Sequence, residues 1–317
     1  MIVISEWIDP GAEASLPDYP FPVRYDPDLW RQPEALADAL SQATAWIVRN
    51  RTPVTAPWLL KAPRLQVIGR LGVGLDNIDL DACRERGLPV VYAKSANAAA
   101  VVEYVLTALL WSVRPWIDWV PRTKAGEWNR RLGGHELFGR TLGILGLGDI
   151  GSRVARTAHQ LGMRVIAYDP HVSPFHALAS DGTVMLADSL EAVLETADAV
   201  TLHLPQSPHT RHLMNASRLE RMKPQATLIN TARGALIDEQ ALYAVLSQGH
   251  LRHVFLDVRE EEPPPEPDPL AAISRVYLTP HIAGLTEEAL SRTTRLVLQD
   301  VRLVLEGKRA RNVVRHP

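Results

Sequence analysis

The chain has 317 residues, of which 46% are hydrophobic and 22% charged, and its formal net charge is −2. That length accommodates two domains with ample core, and the near-balanced charge gives no reason to expect a nucleic acid or a membrane as partner. A single cysteine, Cys83, excludes an internal disulfide framework and suits a reducing, cytoplasmic compartment.

The opening MIVISEW reads as a first strand over 3–5, since it lacks the basic start and long apolar core of a signal peptide. No run approaches the roughly 18 apolar residues of a membrane span. Further strands are predicted at 23–25, 45–48, 66–68 and 90–92, with helices at 33–41, 56–61 and 80–86. Strands alternating with helices imply a parallel sheet covered on both faces, with ligands beyond the carboxyl ends of the strands. Two of those ends carry arginines: Arg49 and Arg51 after one strand, Arg70 at the next, followed by the glycines of LGVGLDN. Such glycines allow backbone N–H groups to face a small anion. The alternative is a plain turn with solvated arginines.

Residues 96–120 form one long apolar helix that crosses between domains or lies in a subunit interface, with Pro115 disturbing it near its end. The polar segment 121–140 presents Trp128 to a partner or a cleft. From 141 the alternation resumes, with strands at 142–145, 165–168, 184–186, 199–202, 227–230, 254–257 and 276–278. The proline-rich run 261–269 is a loop, and an amphipathic helix spans 286–305.

The most informative stretch is TLGILGLGDIGSRVARTAHQLGMRVIAYD, residues 141–169. It runs strand, G-x-G-x-x-G, helix, strand, acid, which is the dinucleotide-binding fingerprint in its proper context. Gly146 permits the tight turn, Gly148 lets a pyrophosphate approach the backbone, and Gly151 lets the helix pack on the strand. Asp169 stands where a carboxylate accepts both ribose hydroxyls of NAD and repels the 2′-phosphate of NADP. The bland reading is a glycine-rich turn in a nucleotide-free domain. Three further residues follow strand ends: Arg233, Glu262 and His281. Each alone fits a turn or surface role. Together they match an oxidoreductase site, in which an arginine fork holds a substrate carboxylate, a histidine moves the hydroxyl proton and a glutamate orients the ring.

At these residues the chain resembles the D-isomer-specific 2-hydroxyacid dehydrogenase family. The matching stretches are GRLGVGLDNIDL (69–80), ANAAAVVEY (96–104), GLGDIG (146–151), INTARGALID (229–238), the DV…EP element (257–263) and TPHIAG (279–284). The resemblance implies an α/β fold of two doubly wound parallel-sheet domains. A Rossmann cofactor domain, 98–284, is inserted in a flavodoxin-like substrate domain, 1–97 plus 285–317. It implies that Arg233, Glu262 and His281 are catalytic. It implies NAD contacts at Gly146, Gly148, Asp149, Ile150, Gly151, Asp169, Leu204, Pro205, Thr231, Ala232, Asp257, His281, Ala283 and Gly284. Substrate contacts are implied at Arg49, Arg70, Val73, Gly74, Asn97 and Arg233. No metal is expected, the partner is a small 2-hydroxy or 2-oxo acid, and a homodimer forms through the cofactor domain. Arg259 departs from the family, which usually has an apolar aromatic after Asp-Val. It adds a charge near the site or faces solvent, and sequence assigns it no role. Within the family the chain is most similar to the 3-phosphoglycerate and sulfolactate dehydrogenase branch, whose substrates carry a second anionic group. A general 2-hydroxyacid dehydrogenase and a non-catalytic NAD(H)-sensing protein share this fold and stand as the alternatives.

Overall fold

A computed structural model describes residues 1–114, 116–131, 133–173 and 175–314. The chain divides into two compact units, Met1–Ala99 with Gly284–Pro317, and Ala100–Ala283. The boundaries differ slightly from those expected at 97 and 284. Gly284 falls in the first unit, where a Cβ would lie 2.4 Å from Asn97 Nδ2.

The first unit holds a five-stranded sheet of β1 (Ile2–Ile4), β2 (Val23–Tyr25), β3 (Ala45–Val48), β4 (Val67–Arg70) and β5 (Val90–Tyr92). Its order is β2-β1-β3-β4-β5, every pairing parallel. Burial on both faces explains the near-continuous apolar runs. Ile2, Ile4, Ala45 and Ile47 enter one core layer, while Val3, Trp46 and Val48 enter the other. The helix Glu287–Leu305 covers the first layer with Val297 and Val301. Gly69 in β4 makes room for it, since a Cβ there would lie 2.8 Å from Val297.

The second unit holds seven parallel strands: β6 (Thr141–Leu145), β7 (Arg164–Tyr168), β8 (Met185–Leu186), β9 (Ala199–Leu202), β10 (Thr227–Asn230), β11 (His253–Leu256) and β12 (Val276–Leu278). Their order is β12-β11-β10-β9-β6-β7-β8. The chain moves outward from β6 to β7 and β8, then returns to place β9 on the other flank of β6. That reversal opens a crevice beyond the carboxyl ends of β6 and β9. In the first sheet the corresponding reversal lies between β1 and β3.

The single long helix expected over 96–120 is two helices. One spans Ala98–Val113 and the other Trp116–Lys124, while Pro115 lies outside the described residues. The first packs Val105, Leu109 and Val113 into a core of the second unit. The second buries nothing and leaves Trp116, Ile117 and Val120 exposed, so its apolar content does not continue the first helix's buried face. It also carries Pro121, at the start of the segment read from sequence as polar. On so exposed a helix, water meets the carbonyl that the proline leaves without its donor. No single helix is long and apolar enough to cross a membrane among the described residues.

Candidate active site

The glycine turn leaves β6 with Gly146 at φ +93, a left-handed conformation that suits glycine. Side chains at two of its positions would collide with backbone. A Cβ at Gly146 would lie 2.7 Å from the His203 carbonyl oxygen, and one at Gly151 would lie 2.1 Å from the Gly146 carbonyl oxygen. Gly148 differs, for a Cβ there would meet nothing within 4 Å. It is the N-cap of the helix Asp149–Gln160 and offers no side chain to occupy the helix's first N–H groups. Open space in front of an uncapped helix N-terminus fits a pyrophosphate. Asp169, just past β7, is half-buried and accepts the Leu147 N–H (2.8 Å) and the His171 N–H (2.9 Å). The acid thereby fixes the glycine turn, and its remaining lone pairs are available to ribose hydroxyls. Across the crevice, β9 runs into Leu204 and Pro205, and β10 into Thr231 and Ala232. Thr231 Oγ1 is buried without a hydrogen-bond partner among the described residues. The glycine space, the acid and this orphaned hydroxyl together fit a bound dinucleotide.

Buried Asn230 shapes the next turn. Its Oδ1 accepts the Ala232 N–H (3.0 Å), and its Nδ2 donates to the Arg233 carbonyl (2.8 Å). This brace sends Arg233 off the end of β10, with its Nη1 donating to the Ala232 carbonyl (2.6 Å). Beside it, β11 ends at Asp257, which is 1% exposed. The Asp257 carboxylate gathers the turn after β12: Oδ1 accepts Thr279 Oγ1 (2.6 Å) and the Ile282 N–H (2.8 Å), and Oδ2 accepts the Ala283 N–H (2.8 Å). The Asp257 carbonyl also accepts the His281 N–H (2.7 Å). These bonds hold His281 at φ +58, where a side chain is rarely found without such support. Its Nδ1 lies 2.9 Å from Glu262 Oε2, and both side chains are about two-fifths exposed (43% and 40%). With Nδ1 engaged, Nε2 is the ring nitrogen chemically able to exchange a proton.

Arg49, Arg70, Val73, Gly74 and Asn97 belong to the first unit. Val48 pairs with Arg70 in the β3–β4 register, so Arg49 and Arg70 leave neighbouring strands at adjoining ends. Asn77 ties their loops together, donating from Nδ2 to the carbonyls of Arg49 (3.1 Å) and Thr52 (2.7 Å). Glu6, 3% exposed at the end of β1, accepts the N–H groups of Arg49 (2.7 Å), Asn50 (3.2 Å), Arg51 (3.0 Å) and Thr52 (3.0 Å). The backbone donors of this loop therefore serve an internal carboxylate, and its cationic side chains are what remain for a ligand. The Arg49 guanidinium lies 5.1 Å from the Trp7 ring and that of Arg51 5.2 Å from Trp30. Arg70, 8% exposed, folds its guanidinium over the following turn, with Nη1 2.6 Å from the Leu71 carbonyl.

Sequence reasoning missed Glu6, Asn77, Asn230, Thr279 and the burial of Arg259. The Arg259 side chain is 8% exposed and enclosed by Glu239 and Asp268, which removes the solvent-facing option considered for it. The strand-end positions of Glu6, Asn230 and Thr279 offered a signal.

Residues 106–283 match the family model for the D-isomer specific 2-hydroxyacid dehydrogenase, NAD binding domain. The chain is 44% identical over 310 residues to the (S)-sulfolactate dehydrogenase of Chromohalobacter salexigens, covering 98% of this chain and 99% of that protein. It is 42% identical over 285 residues to the D-3-phosphoglycerate dehydrogenase of Methanocaldococcus jannaschii, covering 90% of this chain and 54% of that protein. The chain thus spans about half the length of the latter. Among solved structures, D-lactate dehydrogenase from Aquifex aeolicus, complexed with NAD and lactic acid, superposes with a TM-score of 0.87 at 28% identity, over all of both chains.

Proposed function

This chain belongs to the D-isomer-specific 2-hydroxyacid dehydrogenase family and is an NAD-dependent dehydrogenase, and we propose that its preferred substrate carries a second anionic group, as in 3-phosphoglycerate or sulfolactate. The observation that supports this reading is that Arg49 and Arg70 leave neighbouring strands at adjoining ends. Burial draws the Arg49 guanidinium below its ordinary value against the pull of Glu6, so an anionic ligand relieves a desolvated cation. A substrate such as lactate has only one carboxylate, for which the Arg233 fork suffices.

In this proposal Arg233 grips the substrate carboxylate through its planar fork. When bound, NADH would supply the hydride that reduces a 2-oxo acid. His281 Nε2 donates its proton to the carbonyl oxygen as the hydroxyl forms, and takes that proton back in the oxidative direction. Glu262 holds Nδ1–H and stabilises the imidazolium. Asp169 selects NAD over NADP. We also assign a homodimer in the cytoplasm, formed through exposed Leu110, Trp116, Ile117, Val120, Trp128 and Phe138 of the second unit. Sedimentation of a Trp116→Glu, Val120→Glu double variant tests the dimer, which should fall to monomer.

The substrate reading is tested by NADH oxidation with phosphohydroxypyruvate, sulfopyruvate, oxaloacetate, hydroxypyruvate, glyoxylate and pyruvate. A dianionic oxoacid is expected to give the highest kcat/KM, and Arg49→Ala or Arg70→Ala to raise its KM while changing glyoxylate reduction little. If glyoxylate or pyruvate equals or exceeds every dianionic oxoacid, the second anion site is wrong and the chain is a general 2-hydroxyacid dehydrogenase.

A further inference from the structure

Arg259 makes four hydrogen bonds to two carboxylates. Nε and Nη2 donate to Glu239 (3.0 and 2.9 Å), while Nη1 and Nη2 donate to Asp268 (2.5 and 3.0 Å). Each carboxylate thus grips one edge of the planar guanidinium, a geometry that lysine cannot reproduce. The three side chains are 8%, 20% and 11% exposed. The bonds do not stop at the side chains. Glu239 Oε1 also accepts the Glu260 N–H (2.8 Å), and Glu262 Oε1 accepts the Arg259 N–H (3.1 Å). On its outer side Glu260 Oε1 takes Arg211 Nη2 (2.6 Å) and His212 Nε2 (2.7 Å). The loop that carries Glu262 is therefore pinned from two directions.

We infer that Arg259 is a positioning residue for proton transfer, holding residues 259–262 so that Glu262 keeps one oxygen on the Arg259 backbone and turns the other to His281. The inference rests on reading Glu262 and His281 as the proton-transfer pair. An apolar side chain could fill the same space, but it could not bind Glu239 and Asp268 together. Glu239 begins the helix Glu239–Ser247, and Asp268 accepts the Leu270 N–H on the far side of the proline-rich loop. Arg259 thus joins two separate stretches of chain to the base of Glu262.

Positioning and plain electrostatics predict opposite results. Removing the cation leaves Glu239 and Asp268 as uncompensated negative charge near the pair, while Glu260 keeps Arg211. By charge alone this favours imidazolium and moves the alkaline limb of kcat/KM for 2-oxo acid reduction to higher pH. Loss of positioning frees Glu262 from Nδ1 and moves the limb to lower pH, as Glu262→Gln should.

The test uses the full chain with NADH and the 2-oxo acid reduced fastest in the screen above. Arg259→Met is expected to lower kcat/KM by about tenfold to a hundredfold and to move the alkaline limb to lower pH, with the NADH Kd from fluorescence titration within about threefold of wild type. Added to Glu262→Gln, it should cost no more than about another twofold, because both act through one contact. An upward limb shift, or full multiplication of the two effects, overturns the inference. Should Arg259→Met not fold, Arg259→Lys keeps the charge but cannot fork onto both carboxylates, so a limb moved to lower pH supports positioning, and an unmoved limb or full multiplication with Glu262→Gln overturns it. If Glu262→Gln itself leaves rate and pH profile unchanged, the proton-transfer pair is misassigned, an outcome distinct from failure of the Arg259 inference.

Discussion

Gly234→Ala is a one-carbon change placed where both halves of the proposed catalytic group meet. A Cβ at Gly234 would lie 1.8 Å from the Arg259 carbonyl oxygen, 1.9 Å from its carbonyl carbon and 2.4 Å from the Glu260 nitrogen. All three are backbone atoms, so no rotamer change relieves the contact. Real Cβ atoms essentially never come closer than 3.0 Å. Subtracting 1.8 from 3.0, the two segments must separate by about 1.2 Å, and misplacement of roughly 1 Å costs on the order of a hundredfold in rate. If the β10 side yields, Arg233 moves off the carboxylate. If the other side yields, the Glu260–Glu239 bond at 2.8 Å and the Glu262–His281 bond at 2.9 Å stretch beyond hydrogen-bonding distance. Overpacking of this kind also lowers stability by about 1–3 kcal/mol. The assay is steady-state kcat with saturating NADH beside a thermal melt. The expected result is a fall in kcat of about a hundredfold with a melting temperature lower by several degrees. A variant with kcat within about threefold of wild type would refute the claim that this backbone contact sets the catalytic geometry.

Gly148→Ala provides the contrasting case, because its Cβ enters space empty of protein. The melting temperature should hold while the NADH Kd rises, and an unchanged Kd would remove Gly148 from the pyrophosphate site. Asp169→Ala should weaken NAD more than NADP, since a hydrogen bond to a charged group contributes about 1.5–3 kcal/mol. Equal kcat/KM for the two cofactors in the wild type would contradict that role. His281→Ala should depress turnover by at least about a hundredfold while barely moving the NADH Kd; near-normal turnover would place proton transfer elsewhere. Burial pushes His203 and His253 down to about 4. From the unfolded value of about 6.5 down to 4, the unfolded chain takes up protons that the folded one refuses, so stability falls as pH drops through that window. Urea melts from pH 7 to 4.5 should show a decline of up to about 1.4 kcal/mol per pH unit for each such histidine, and a flat profile would mean that neither ring is held neutral.

Both sheets were legible because parallel strands buried on two faces are short unbroken apolar runs. Their carboxyl ends, where Arg233, His281 and Asp169 lie, follow from that placement. The supports of these residues were not legible. Asp257 braces a turn more than twenty residues downstream, and Glu6 takes N–H groups from residues 49–52. Nothing local in a sequence marks such pairings. Arg259 could be given no role because its two carboxylate partners are nine and twenty residues away. The apolar stretch 96–120 misled for a different reason. Hydrophobicity signals that a surface avoids water, and Trp116, Ile117 and Val120 remain exposed in a second helix that contributes nothing to the first helix's core.

The helix Glu287–Leu305 has a consequence for how the chain is made. It supplies Val297, Leu298 and Val301 to a layer whose other members include Ile2, Ile4, Ile47 and Val67. During translation that side of the first sheet waits, uncovered, until the helix Glu287–Leu305 has emerged. At ordinary elongation rates of about 5–20 residues per second, this amounts to some tens of seconds in which Ile2 and Ile4 face water or a chaperone. The inserted unit has no such delay, since its strands and helices emerge consecutively. The inserted unit can therefore finish folding before the unit that surrounds it, and Ile2 and Ile4 are among the residues that most need protection from aggregation.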